Sequence, residues 1–94
     1  MQPENAAPAD SITPVERTVL MYSRPGCGLC DEARRVILAV RERTPFRYEE
    51  VDISGDDALE LEYGIRIPVV EVDRTERFEI EVDPSAFASL VGGR

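Results

Sequence analysis

Two cysteines stand two residues apart, at Cys27 and Cys30, and the chain of 94 residues has no others. The apolar run Thr18–Tyr22 precedes them and predicts a strand buried on both faces of a sheet. A turn with a Pro-Gly pair comes next, and a helical repeat begins near Gly28. The cysteine pair therefore marks the junction between a buried strand and a helix, which constrains both layers of the fold.

Further patterned segments extend this beginning to the order β-α-β-α-β-β-α. We expect helices over residues 28–43, 56–63 and from Asp83-Pro84 onwards, and strands over 46–53, 68–72 and 77–82. A helix separates the first two strands, so we expect them to be parallel with a right-handed crossover, and the last two to form an antiparallel hairpin. The prediction is an α/β fold in which helices cover both faces of a four-stranded mixed sheet.

Three local details complete this prediction. The second strand changes parity near Glu50, which predicts a bulge or an early exit from the sheet. Residues 73–76 are expected to lie between the two arms of the hairpin. The first helix is expected to bury one apolar stripe, made of Leu29, Ala33, Val36, Ile37 and Val40.

The length of the chain allows one small domain, which we expect over residues 16–94. Residues 1–15 contain three prolines among small and polar residues, and they predict a disordered tail. The sequence contains no apolar run of about eighteen residues that predicts a membrane span. The first residues lack the basic start and apolar stretch of a secretory signal, so we expect a cytoplasmic monomer with largely reduced thiols.

The net charge is -8, and the acid excess lies in residues 47–94. This distribution disfavours nucleic acids and anionic membranes as partners. The chain has no histidine, so it lacks the usual general base and a common metal ligand. Tetrahedral zinc needs four ligands, and two cysteines without further cysteine or histidine do not supply them, so we expect no metal.

The placement of the cysteine pair indicates thiol chemistry. The first N–H groups of a helix lack partners within the helix and stabilise a thiolate, so the pKa of the Cys27 thiol is expected to fall. Cys27 is thus the expected nucleophile, and Cys30, one turn on, is the expected resolving thiol. Arg24 could add positive charge nearby, whereas Asp31 and Glu32 would oppose it. The competing interpretation of the pair is two buried core thiols.

Two further features suit a substrate site. Gly26 and Gly28 flank the nucleophile and would allow close approach of a substrate backbone, although they are also ordinary loop glycines. Ile67-Pro68 stands where a strand begins, and the bond between them is either an ordinary strand start or a cis peptide. A cis bond would expose backbone beside Cys27, where an extended substrate could pair as an added strand.

The segment Tyr22–Cys30, with Ile67-Pro68 downstream, resembles the glutaredoxins of the thioredoxin superfamily, and most of all the small bacterial glutaredoxin-like proteins. The resemblance covers roughly residues 17–92. It implies a thioredoxin-like fold, with Cys27 as nucleophile, Cys30 as resolving thiol and a cis Pro68 beside them. The substrate-binding positions that we expect are Arg24, Pro25, Gly26, Gly28, Arg66, Ile67 and Pro68.

The chain departs from the common glutaredoxin pattern at three places. Gly28-Leu29 replaces the usual Pro-Tyr between the cysteines, and Arg66 replaces a small polar residue two positions before Pro68. Glu81–Pro84 stands where the family commonly has a Gly-Gly pair and an acid that cradle glutathione. The reductant therefore stays open between glutathione, another cellular thiol and a reductase.

The resulting functional prediction is a thiol-disulfide oxidoreductase that reduces protein or low-molecular-weight disulfides without a tightly bound cofactor. Its expected partners are a disulfide-containing protein or a small thiol, together with a reductase if one regenerates it. Two alternatives stay open: a module that shares a [2Fe–2S] cluster between two chains through Cys27, and a redox sensor with incidental turnover.

Overall fold

The computed structural model describes residues 17–92, so the tail expected over residues 1–15 lies outside the described part of the chain. The elements follow the expected order. They are β1 (Arg17–Ser23), α1 (Gly28–Arg41), β2 (Phe46–Asp52), α2 (Asp57–Tyr63), β3 (Val69–Val72), β4 (Thr75–Glu79) and α3 (Pro84–Gly92).

The four strands form one mixed sheet in the order β2-β1-β3-β4. β1 pairs parallel with β2 and antiparallel with β3, and β3 pairs antiparallel with β4. The central position of β1 explains its continuous apolar sequence, because it has a paired strand on each side and packed side chains on both faces. The predicted four-stranded mixed sheet is confirmed, with the first two strands parallel and the last two antiparallel.

Helices cover both faces of this sheet. α1 and α3 contact each other on one face, where the core includes Met21 of β1, Ile37 of α1 and Phe87 of α3. The rings of Phe46 and Phe87 meet edge to face at 5.6 Å. On the opposite face, α2 approaches the sheet through Tyr63, whose ring stacks on that of Tyr22 in β1. Neighbouring residues of a strand point to opposite faces, so Met21 and Tyr22 serve the two layers.

The expected apolar stripe of α1 needs one correction. Ala33, Ile37 and Val40 are buried as predicted, and Val36 is partly buried. Leu29, however, is 46% exposed, and the neighbouring Cys30 is buried in its place. A helical repeat alone does not decide which of two adjacent apolar residues at the first turn faces the core.

The prediction of a bulge or an early exit near Glu50 is wrong, because β2 pairs with β1 in continuous register from Phe46 to Asp52. The irregularity lies between β3 and β4, where the register shifts at Val70/Glu71.

The segment expected between the arms of the hairpin, residues 73–76, is longer than the turn that forms. Asp73 and Arg74 alone make the turn, with φ of 52° and 69°. Two positive φ values belong to the tight turn whose twist matches that of paired strands. As a consequence β4 begins at Thr75 and ends at Glu79, earlier than the predicted arm.

Acidic residues cap the later helices. The carboxylate of Asp56 accepts the backbone N–H of Leu59, at 3.1 Å, and precedes α2. The carboxylate of Asp83 accepts the N–H of Ala86, at 2.8 Å, which confirms the predicted start of α3. Within residues 17–92 no helix combines the length and the apolar character that crossing a membrane requires.

Candidate redox site

Cys27 is the N-cap of α1. Its backbone is extended, with φ -94° and ψ 108°, and its Sγ accepts the backbone N–H of Cys30 at 3.0 Å. The carbonyl of Cys27 accepts the N–H of Asp31, at 3.1 Å, as the first bond of the helix. The sulfur therefore lies against an amide that the helix leaves unpaired, which is the environment that stabilises a thiolate once the cysteines are reduced.

The two cysteines differ in exposure. Cys27 is half-buried, whereas Cys30 is fully buried in the core beneath it. They are joined as a disulfide with Cα atoms 5.2 Å apart, inside the range that the bond requires. Cys27 is thus partly exposed to other molecules, and the buried Cys30 lies within bonding distance of it.

The loop that contains Pro68 lies at the same end of the strands as the cysteine loop. Tyr22 pairs with Val69 in the antiparallel ladder of β1 and β3, so the end of β1 and the start of β3 coincide. The Ile67–Pro68 peptide is cis, which confirms that expectation. The N–H of Ile80, just after β4, donates to the carbonyl of Pro68 at 2.8 Å and to that of Arg66 at 3.2 Å. The end of β4 therefore holds this loop in position.

The glycines beside the cysteines differ in what they require. Gly26 has φ +77°, a conformation that glycine adopts without steric cost. A Cβ at Gly26 or Gly28 would meet no atom within 4 Å, so the space over both residues is open. Pro25 is exposed as well. This side of Cys27 is accessible, and the role of these residues in binding a substrate stays a prediction.

The two arginines predicted to bind substrate are engaged in ion pairs. Arg24 is paired with Glu60 of α2. The guanidinium of Arg66 contacts Glu76 and Glu79, and these hydrogen bonds raise its pKa. Both side chains link neighbouring elements through these ion pairs. Their predicted roles in substrate binding remain predictions.

The acids in the first turn of α1, expected to oppose a thiolate, are also paired. Asp31 accepts from Arg34 at 2.7 Å, and Glu32 accepts from Arg35 at 2.8 Å. Arg34 reaches further to Glu50 on β2, with contacts of 2.5 and 2.8 Å, and this hydrogen bonding lowers the pKa of the Glu50 carboxyl. Each acid beside the cysteine pair thus has a cation one turn away, which reduces its opposition.

A groove beside the cysteine pair was not foreseen from the sequence. It has a volume of about 490 Å³ and lies between α1, the end of β4 and the loop before α3. Leu29, exposed between the two cysteines, forms part of its wall together with Phe78 and Ile80. The sequence contains one indication, since Glu81–Pro84, which line the groove, stand where glutaredoxins commonly cradle glutathione, but it predicted burial for the exposed Leu29.

The described residues contain no group of three or more His, Cys, Asp or Glu side chains arranged to hold a metal ion. A cluster shared between two chains would therefore draw on Cys27 of each chain and on a small thiol that completes each half.

Solved structures similar to this chain share its fold. Protein XcR50 from X. campestris is 28% identical, with a TM-score of 0.67 over 81% of this chain and 97% of that one. Protein Ne2328 from Nitrosomonas europaea is 25% identical, with a TM-score of 0.68 over 79% and 89%. A mutant thioredoxin from Halobacterium salinarum NRC-1 is 23% identical, with a TM-score of 0.56 over 87% and 77%, and shows that the fold is thioredoxin-like.

A search of curated proteins found no match. The family model described as the glutaredoxin-like domain (DUF836) matches residues 18–90, which include both cysteines and the cis proline. On this match, together with the geometry of the cysteine pair, the chain belongs to the glutaredoxin-like domain family.

Proposed function

We propose that this protein is a dithiol oxidoreductase that reduces disulfides of other molecules through Cys27 and Cys30. The observation that carries the proposal is the position of the partly exposed Cys27 at the N-cap of α1, with its Sγ 3.0 Å from the backbone N of Cys30. A helix N-terminus holds negative charge on that sulfur, and the thiolate is the species that attacks a disulfide.

The reaction balances in two exchanges. The Cys27 thiolate attacks one sulfur of the substrate disulfide, so an S–S bond to Cys27 forms and the other substrate sulfur leaves as a thiolate. Cys30, deprotonated, then attacks Cys27 Sγ and displaces the second substrate sulfur. Two electrons pass to the substrate, its two thiolates take up two protons, and the protein is left with the Cys27–Cys30 disulfide.

An external thiol or a reductase returns the pair to the dithiol. We propose that the protein does this in the cytoplasm, because a reducing compartment keeps such a pair in its working form. We also propose that it acts as a monomer. The arrangement of the site supports the order of attack, because Cys30 is buried directly behind Cys27 and reaches a substrate only through it.

Thiolate absorbance against pH tests the proposal. In the Cys30→Ser variant, the pKa of Cys27 should lie below the ordinary value of about 8.5. In the Cys27→Ser variant, the buried Cys30 should titrate above that value, since burial disfavours the charge. A Cys27 that titrates at or above the ordinary value would contradict activation by the helix.

An assay of catalysed disulfide reduction is the second test of the proposal. Reduction of bis(2-hydroxyethyl) disulfide by dithiothreitol should be accelerated by the wild type and lost in Cys27→Ser. Cys30→Ser, mixed with the same disulfide without dithiothreitol, should instead accumulate a mixed disulfide at Cys27, which mass spectrometry detects. Full activity in Cys27→Ser would rule out the mechanism. The iron–sulfur alternative is checked on the same preparations by visible absorbance after anaerobic reconstitution.

A further inference from the structure

The groove beside the cysteine pair has walls from three elements. Residues of α1 form one wall, the end of β4 forms the second, and the loop before α3 forms the third. Leu29, one of its residues, lies between Cys27 and Cys30 in sequence, so one wall of the groove is adjacent to the cysteine pair in the chain. Its lining is Leu29, Glu32, Ala33, Val36, Phe78, Ile80, Glu81, Val82, Asp83 and Pro84.

The floor of the groove is apolar and partly open to solvent. Leu29 and Ile80 are 46% and 39% exposed, and the partly buried Phe78 lies with them. Apolar side chains exposed around a concavity are typical of ligand and peptide sites.

The rim carries negative charge. Glu32, Glu81 and Asp83 line the groove, and no basic residue does. Within residues 17–92 no Arg side chain lies at ion-pair distance from Glu81 or Asp83, whereas Glu32 pairs with Arg35. The groove is therefore complementary to a cation and repels an anion.

Ile80 adds an independent observation. Its φ is 73°, in the left-handed region, which a β-branched residue rarely occupies. Its N–H donates to the carbonyls of Pro68 and Arg66, and these hydrogen bonds hold the backbone in the strained conformation. The side chain of Ile80 lines the groove. Strained backbone of this kind is found at sites where ligands bind.

We propose that this groove docks the substrate of the dithiol site, and that the substrate is a polypeptide with an apolar and a basic side chain next to its disulfide. This inference rests on the proposed function and names its substrate class. The apolar side chain packs on Leu29, Phe78 and Ile80, and the basic one faces the acidic rim. Glutathione disulfide, whose carboxylates outnumber its ammonium groups, is disfavoured by the same rim.

Three peptide substrates test the proposal. Each contains one cysteine as a mixed disulfide with 2-mercaptoethanol, flanked by Leu and Arg, by Leu and Glu, or by Ser and Arg. With dithiothreitol as reductant, we expect kcat/KM for the Leu/Arg peptide to exceed that for the Leu/Glu peptide about tenfold at low salt, and less at high salt. The Ser/Arg peptide should be slower than the Leu/Arg peptide.

Substitutions in the groove test which of its residues cause the preference for Arg over Glu in the peptide. Glu81→Gln should reduce the Leu/Arg to Leu/Glu ratio about threefold. Glu42→Gln, the same change at the far end of α1, should leave the ratio unaltered. Ile80→Ala should lower kcat/KM for the Leu/Arg peptide several-fold while the preference for Arg over Glu persists, because it removes apolar contact and no charge.

The outcomes separate the two proposals. If bis(2-hydroxyethyl) disulfide is reduced but all three peptides react at one rate, the docking inference fails and the oxidoreductase stands. A ratio that responds to Glu42→Gln as much as to Glu81→Gln also overturns the docking inference. If no disulfide is reduced, the proposed function fails, and NMR titration with the Leu/Arg peptide carrying Ser for Cys decides: shifts at Leu29 and Ile80 support docking, and their absence overturns it.

Discussion

At the scale of single residues, Cys27 and Ile80 show two ways in which backbone geometry shapes this site. Cys27 uses its sulfur where a helix commonly has a hydroxyl or carboxylate cap, so the atom that we propose as the nucleophile is also a structural acceptor. Ile80 holds a left-handed backbone that its branched side chain disfavours, and the two carbonyls that accept its N–H fix it there. The N-cap conformation suits Cys27, whereas the left-handed conformation is unfavourable for the isoleucine at position 80.

Replacement of Ile80 by Gly and by Ala separates the backbone from the side chain. Both variants remove the isoleucine contacts, but only glycine accepts φ 73° freely. We expect Ile80→Gly to be more stable than Ile80→Ala by about 1 kcal/mol, in urea unfolding of the reduced protein.

The control is an exposed helical position with ordinary geometry. At Ser89 on α3, alanine should be more stable than glycine by about 1 kcal/mol. If the order at Ile80 matched the order at Ser89, the left-handed conformation of Ile80 would be refuted.

At the scale of elements, α2 is held by few contacts. None of its residues is fully buried. The ring of Tyr63 stacks on that of Tyr22, with centroids 3.9 Å apart, and Leu59 packs partly buried against the core. Hydrogen bonding to Tyr63, together with burial, raises the pKa of Tyr22 to about 12. α2 also carries Glu60, which pairs with Arg24 in the loop before Cys27, so weakening the stack would also weaken this contact with the cysteine loop.

Tyr63→Ala should lower the free energy of unfolding by about 2 kcal/mol, because it removes ring burial and the stack together. Leu61→Ala on the same helix is the matched control, since Leu61 is 91% exposed, and it should change stability by less than about 0.5 kcal/mol. Chemical denaturation with tyrosine fluorescence measures both. Equal effects of the two substitutions would show that the stack does not hold α2.

The element order could be predicted because the apolar periods and the caps agree with the fold. The boundary errors have physical causes. The hairpin turn uses Asp73 and Arg74 at positive φ without glycine, so the sequence does not mark it as two residues long. Leu29 and Cys30 are both apolar, and only the tertiary packing of α1 decides which of them is buried.

Of the site, the sequence predicted the position of the cysteine pair at the start of α1 through a local pattern, and the cis proline through the family resemblance. The roles of the two cysteines stay a prediction. The groove was missed because its walls come from α1, β4 and the loop before α3, which meet only in the folded molecule. The ion pairs of Arg24 and Arg66 were missed for the same reason, since their partners lie on other elements or across the hairpin.

At the scale of the whole molecule, charge governs how stability responds to pH. The net charge is -8 at neutral pH, yet several carboxylates are stabilised by the fold. Asp73 ties the hairpin turn to the start of β1, accepting the backbone N–H of Thr18 at 3.0 Å and the guanidinium of Arg17 at 2.7 Å. The Thr18 hydrogen bond, with help from Arg17, lowers the pKa of the Asp73 carboxyl below its ordinary 3.8.

The sign of the pH effect follows from that direction. A carboxyl whose pKa is lower in the folded state contributes stability above its unfolded pKa and loses that contribution as pH falls through its folded pKa. Asp73→Asn, which keeps the turn geometry, should therefore be less stable than wild type at pH 7. The difference should shrink below about pH 4 and vanish once the folded carboxyl is protonated.

Urea unfolding midpoints measured from pH 7 down to the acid transition check this prediction. Glu49→Gln, at an exposed site on β2, is the control and should follow the wild-type curve more closely. A difference for Asp73→Asn that stayed constant down to low pH would contradict the linkage.

The stacked pair of Tyr22 and Tyr63 also gives the molecule an optical property. The chain has three tyrosines and no tryptophan, so two of its three ultraviolet chromophores of this class lie in face-to-face contact where β1 meets α2. Their coupled near-ultraviolet circular dichroism reports on the position of α2, whose Glu60 forms an ion pair with Arg24 in the cysteine loop. The protein thus carries its own label for following events at the site, without an attached dye.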